Sequence, residues 1–261
     1  MAKGKKQAPK NDKLQNALVL YHYMLNYFGC HDFKALSDGL KDPALEGVDE
    51  NGISKLYFAL RDHLFLNEEK KALEVLEYDH HIVRFTEEIN LHRRNKIRWK
   101  YYQYLSFLFT EIFLDRCFRD KKGFIKDLND FLINDFDFRN DVWQGVPEFK
   151  EENLNKLAYW CATGSGKTLM MHVHIKQFLY YARKYKKKDK INNIILLTPN
   201  EKLSQQHLAE LQRSNIGAEI FSKGNVSDLF RQQQVQIIGI TKLGDTDGEK
   251  TVSVDSFEDY N

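Results

Sequence analysis

Near residue 156 the spacing of apolar residues changes, and no other feature of this 261-residue chain constrains its fold as much. From about Leu14 to Phe136 apolar positions return every third or fourth residue, in segments bounded by Gly, Asp and Asn. That period predicts helices. LQNALVLYHYMLNYFG reads as a buried helix closed by Gly29, and GISKLYFALRDHLFL as a shorter one. NEEKKALEVLEYDHHIVRFTEEINLHRRN opens on acidic residues and ends on His92, Arg93 and Arg94, a polarity that suits the helix dipole. KIRWKYYQYLSFLFTEIFLDRCF is apolar on most sides and therefore central, and GFIKDLNDFLINDF adds a further helix before Gly145 and Pro147 break the pattern. Beyond Lys156 short apolar runs alternate with helical stretches: KLAYWCA, NNIILLT, AEIF and VQIIGIT as strands, KTLMMHVHIKQFLYYARKY and EKLSQQHLAELQRS as helices, SDLFRQQ as a helical turn. Strand alternating with helix predicts a parallel sheet covered on both faces.

The expected fold class is thus α/β overall, with an all-α part over 14–150 followed by a parallel α/β lobe over 151–261. Residues 1–13 carry five lysines and almost nothing to bury, so a disordered basic arm precedes both. No apolar run approaches the ~20 residues of a membrane span. Cys30, Cys117 and Cys161 are odd in number and far apart, which suits a reducing compartment better than a disulfide framework. No secretory leader is expected from the lysine-rich start, so the location expected is cytoplasmic. The net charge of +2 excludes nothing, because only a local track of basic residues could mark a polyanionic partner.

The chemistry concentrates in Ala162-Thr163-Gly164-Ser165-Gly166-Lys167-Thr168, between an expected strand and an expected helix. Small residues let backbone N–H groups close around phosphates, and the positive end of the next helix points at them. Lys167 can reach the β- and γ-phosphates, and the Thr168 hydroxyl can ligand Mg²⁺. The full G-x-x-x-x-G-K-[ST] pattern would place glycine where Cys161 stands. Thirty positions after Thr168 comes Thr198-Pro199-Asn200-Glu201-Lys202-Leu203-Ser204-Gln205-Gln206, a strand end turning into a helix.

ATGSGKT followed by TPNEKLSQQ resembles motifs I and Ia of superfamily 2 helicases and translocases, closest to the DEAD/DEAH-type ATPases that include the Res subunit of type III restriction enzymes. The resemblance covers residues 156–261 well and 97–112 loosely. It implies a RecA-like P-loop lobe that binds ATP and Mg²⁺ through Thr163, Gly164, Ser165, Gly166, Lys167 and Thr168. It also implies contacts from Thr198, Pro199 and Gln206 to a nucleic-acid backbone, DNA or RNA. VQIIGITKL stands where relatives carry motif Ib, which nominates Thr241 as a further backbone contact. IRWKYYQYLSFLFTEIFL resembles the family's adenine-reading segment and nominates Gln103, though 64 residues separate it from Lys167. Relatives commonly serve restriction or other antiviral defence.

The family's hydrolytic Asp-Glu-x-His is missing: no run of four apolar residues precedes Asp-Glu, and VSVDSFEDYN holds only Asp255, Glu258 and Asp259. The expectation is therefore an incomplete first lobe, the N-terminal portion of a longer ATPase, that binds nucleotide without turning it over. The competing expectation is a nucleotide-binding regulatory protein whose helical part binds a protein partner. Of the remaining signals, Asp79-His80-His81 is expected on a solvated helix face. His172 and His174 are expected to point apart, unsuited to one metal. RKYKKKDK, residues 183–190, is expected to be a charged loop.

Overall fold

The computed structural model describes residues 18–64, 68–136, 146–188, 191, 194–221, 235–244 and 252–253. The expected basic arm, the SDLFRQQ turn and the C-terminal acidic residues lie outside these. In chain order come α1 (Val19–Tyr27), α2 (Phe33–Ser37), α3 (Lys55–Leu64), α4 (Glu69–Asn90), α5 (Tyr101–Arg119) and α6 (Lys121–Phe131). The α/β part follows: α7 (Lys167–Lys184), β1 (Ile194–Thr198), α8 (Glu201–Arg213), β2 (Ala218–Ile220) and β3 (Val235–Gly239), with the short pair β4 (Leu243–Gly244) and β5 (Val252–Ser253). The three longer strands form a parallel sheet in the order β1-β3-β2.

Helix α5 is central, as its all-round apolar character predicts: Tyr104, Leu105, Phe107, Leu108, Ile112 and Phe113 are all buried. It starts later than the sequence suggests, because KIRWK is not helical. The Asn90 side chain explains this. Its Oδ1 accepts from the Ile97 N–H at 2.8 Å and its Nδ2 donates to the Ile97 carbonyl at 3.0 Å, giving that backbone partners other than a helix.

Helix α7, which follows the glycine loop, belongs to the same core. Met170, Val173 and Tyr181 join Leu105, Phe107 and Val75 in the largest apolar cluster, so α7 packs against α4 and α5. A smaller cluster under the sheet unites Leu211, Ile216, Val235 and Ile237, with Ile175 of α7 packed against it.

Two expectations need correction. KLAYWCA forms no strand. The Tyr159 hydroxyl and that of Thr110 share a hydrogen bond of 2.8 Å and the Tyr159 ring stacks on His174 at 4.3 Å, so the segment lies along α5 and α7 instead of joining the sheet. Nor is the sheet covered on both faces among the described residues. β3 is buried throughout, but Ile195 and Leu197 of β1 are 38% and 54% exposed.

The reading of Asp79-His80-His81 as a solvated face holds for His80, which is exposed, and fails for its two neighbours. Asp79 and His81 fall on the buried stripe with Tyr78, Ile82 and Phe85. Asp79 accepts from the Tyr104 hydroxyl at 2.6 Å and the Ser54 N–H at 3.0 Å, and burial raises its carboxyl above the usual carboxylate range. His81 Nδ1 lies 2.9 Å from Glu111, a carboxylate with no exposed surface.

Candidate nucleotide and nucleic-acid site

The loop ahead of α7 turns through two left-handed glycines, Gly164 at φ +77° and Gly166 at φ +83°. This backbone is cheap only for glycine. No side chain caps α7, leaving its first N–H groups to a ligand or to water. The Lys167 ammonium folds back onto the loop, donating to the Cys161 and Ala162 carbonyls at 3.2 and 2.9 Å. The Ser165 hydroxyl is buried with no partner. An orphaned hydroxyl, an uncapped helix start and a cation on loop carbonyls all fit an incoming phosphate, with Thr168 half-buried at the same helix start.

Gln103 comes to this loop despite its distance in sequence. Its Nε2 donates to the Ser165 carbonyl at 2.8 Å, and its Oε1 accepts from the Lys100 N–H at 3.0 Å. Each end of the carboxamide makes one bond, which leaves one N–H and one oxygen lone pair for a base edge. The approach is close: a Cβ on Gly166 would sit 2.7 Å from that Nε2.

Thr198 is placed differently from expectation. It is 2% exposed, with Oγ1 at 2.6 Å from Ser204 Oγ and 3.4 Å from the Ile238 carbonyl. As the last residue of β1 its side chain turns under α8, which leaves only its main chain for a ligand. Pro199, Gln206 and Thr241 are exposed. Asn200 caps α8, accepting from the Leu203 N–H at 3.0 Å. The register pairs Thr198 with Gly239, so Pro199 and Thr241 emerge at the same C-terminal end of the parallel strands. Ligands of open parallel sheets bind at this end.

Between α5, α7 and β1 lies a cavity of ≈ 1040 Å³, whose lining includes Phe113, Tyr159, Phe178, Leu196, Lys167 and Thr168. His174 also lines it. Its Nδ1 lies 3.0 Å from Gln177 Oε1, while its Nε2 is buried without a partner. His172 turns elsewhere, with Nδ1 2.7 Å from Ser214 Oγ. The two rings thus point apart, as their spacing predicts. In the basic run, Lys184 pairs with Glu77 at 3.1 Å and Lys187 donates to the Phe118 carbonyl at 2.7 Å, so these two are tied to the helical part.

The profile of the type III restriction enzyme res subunit matches residues 125–260, just over half of the chain. The chain belongs to that family. No curated protein and no solved structure matches it. The res-subunit family is a helicase-like family of ATP-dependent nucleic-acid enzymes, and its match begins inside α6, leaving Gln103 and α1 to α5 outside. No helix among the described residues is long and apolar enough to cross a membrane.

Burial holds both His172 and His174 at a pKa of about 4, well below the usual 6.5, and the Arg93 guanidinium adds to the effect at His172. Each ring is neutral when folded, and the unfolded chain takes up protons first. Stability is therefore full above pH 6.5 and falls as pH drops toward 4. Linkage gives a loss of about 2 kcal/mol per histidine between pH 7 and 5. Urea titrations at those two pH values measure it: the loss should shrink by about 2 kcal/mol in His174→Asn, and an unchanged difference would overturn the assignment.

Proposed function

We propose that the chain is the ATP-binding part of a nucleic-acid helicase or translocase. It would hold ATP·Mg²⁺ at the Thr163–Thr168 loop and a nucleic-acid backbone, DNA before RNA, at the C-terminal end of the sheet. The observation that carries this reading is the uncapped start of α7 with the Lys167 ammonium folded onto the loop beside it. Phosphates would occupy the loop N–H groups, and Lys167 would exchange the carbonyls of Cys161 and Ala162 for phosphate oxygens. Thr168 would hold the Mg²⁺, which supplies neutralisation of phosphate charge when bound. Gln206 and Thr241, with the main chain of Thr198, would bond the phosphates of the strand, and Pro199, which has no N–H, would touch it by packing alone. Such contacts carry no sequence information. A role in restriction or antiviral defence would suit the res-subunit family, and the helical part would be free to bind a protein partner.

Fluorescence anisotropy on two unrelated DNA sequences tests the nucleic-acid half. Equal affinities are expected, and affinity should fall as salt rises from about 50 to 200 mM. Strong preference for one sequence, or binding that ignores salt, would overturn it.

A further inference from the structure

Ser214, at the C-terminal end of α8, is fully buried and joins three elements. Arg93, just beyond α4, donates from Nη2 to Ser214 Oγ at 2.8 Å and to Glu210 Oε2 at 3.1 Å. His172 of α7, also fully buried, places Nδ1 2.7 Å from the same oxygen. A guanidinium has no acceptor, so Ser214 Oγ accepts from Arg93, and a second hydrogen bond joins the same oxygen to His172 Nδ1. His172 Nε2 is buried without a partner. Arg93, Ser214 and His172 thus form one connected set, with Glu210 balancing the charge.

Its position gives it a mechanical meaning. His172 lies five residues into the helix that begins at Lys167, about 7.5 Å along the axis. Ser214 closes the helix whose other end carries Pro199 to Gln206. A second link between α7 and the sheet among the described residues is the apolar packing of Ile175 among Leu211, Val235 and Ile237. Apolar contacts are non-directional and permit sliding. A buried hydrogen-bond chain is directional and resists it.

Resting on the function proposed above, we infer that the Arg93–Ser214–His172 chain is a positioning joint that passes movement of the nucleotide helix to the nucleic-acid end of α8. The three residues touch neither ligand. They fix the angle between α7 and α8, and Arg93 ties that angle to the end of α4. Lys176 and Glu88, 2.8 Å apart, hold α7 to α4 without involving Ser214, which provides a control.

The test measures DNA affinity of the 261-residue chain with and without a non-hydrolysable ATP analogue and Mg²⁺. In the parent chain the analogue should change DNA affinity by a factor within the roughly 5–150 typical of coupled sites. In Arg93→Gln and Ser214→Ala that factor should fall to within about twofold of unity, with analogue affinity itself unchanged. Arg93→Lys should restore part of it, and Lys176→Ala should leave it intact. A merely structural role would lower thermal stability in all four variants without moving the factor. Hydrogen exchange on the parent chain covers the case in which a variant fails to fold: the analogue should alter exchange over residues 200–216. Retention of the factor in a folded Arg93→Gln, unaltered exchange there, or a parent chain that binds both ligands without coupling would each overturn the joint and leave the proposed function standing. A parent chain that binds no analogue would overturn the proposed function itself.

Discussion

Lys167→Ala should lower affinity for ATP·Mg²⁺ about a hundredfold while leaving the fold unchanged. The lysine is exposed and its two hydrogen bonds go to carbonyls of its own loop, so removing it uncovers no buried group. In the complex the same ammonium would make charge-assisted bonds worth roughly 1.5–3 kcal/mol each. Losing about 3 kcal/mol corresponds to two orders of magnitude in affinity. Titration of a fluorescent ATP analogue measures the change, and circular dichroism confirms the fold. Wild-type affinity in the variant would remove the P-loop reading. The sequence contains no apolar run ending in Asp-Glu, so bound ATP should persist in this chain. Robust hydrolysis that Lys167→Ala abolishes would contradict that expectation.

Glu111→Leu should cost about 4 kcal/mol of stability. The carboxylate is fully buried and accepts from the Tyr181 hydroxyl, from His81 Nδ1 at 2.9 Å and from Gln177 Nε2 at 2.7 Å. Leucine fits the volume but takes the acceptor from three buried donors. Breaking such a buried network by removing one member costs roughly 3–5 kcal/mol. For a chain of this size that corresponds to a drop in Tm of about 10 °C, read from a thermal melt. Glu111→Gln keeps one acceptor and should lose less. A drop under about 2 °C for leucine would mean that the network contributes little.

Much of the scaffold was legible in the residues themselves. Helix α5 betrayed its central place by being apolar on most sides, and α7 and α8 began where the glycine loop and Thr198-Pro199-Asn200 put them. The strand at 156–162 was misread because a short apolar run before a glycine loop looks alike in either role. Tyr159 settles it by finding Thr110 and His174, while its neighbour Trp160 is left 77% exposed. Asp79 and His81 were misread because polar residues usually face water. Their spacing from Tyr78, Ile82 and Phe85 carried the contrary signal, and residue type outweighed it. The Ser214 joint left no trace in the sequence: Arg93 lies 121 positions from its partner, and no local pattern foretells a contact at that range. Gln103 was nominated by resemblance, and the structure brings it to the P-loop through a bond to Ser165 that spacing alone could not indicate.

The placement of α7 bears on how the molecule comes apart. One face of this helix, through Met170, Val173 and Tyr181, completes the helical core, while Ile175 reaches the core beneath the sheet. A helix shared in this way makes melting a joint event, since neither part can lose α7 and keep its own interior. The helical residues and the glycine loop therefore belong to one cooperative unit, with α7 held from behind by both apolar clusters.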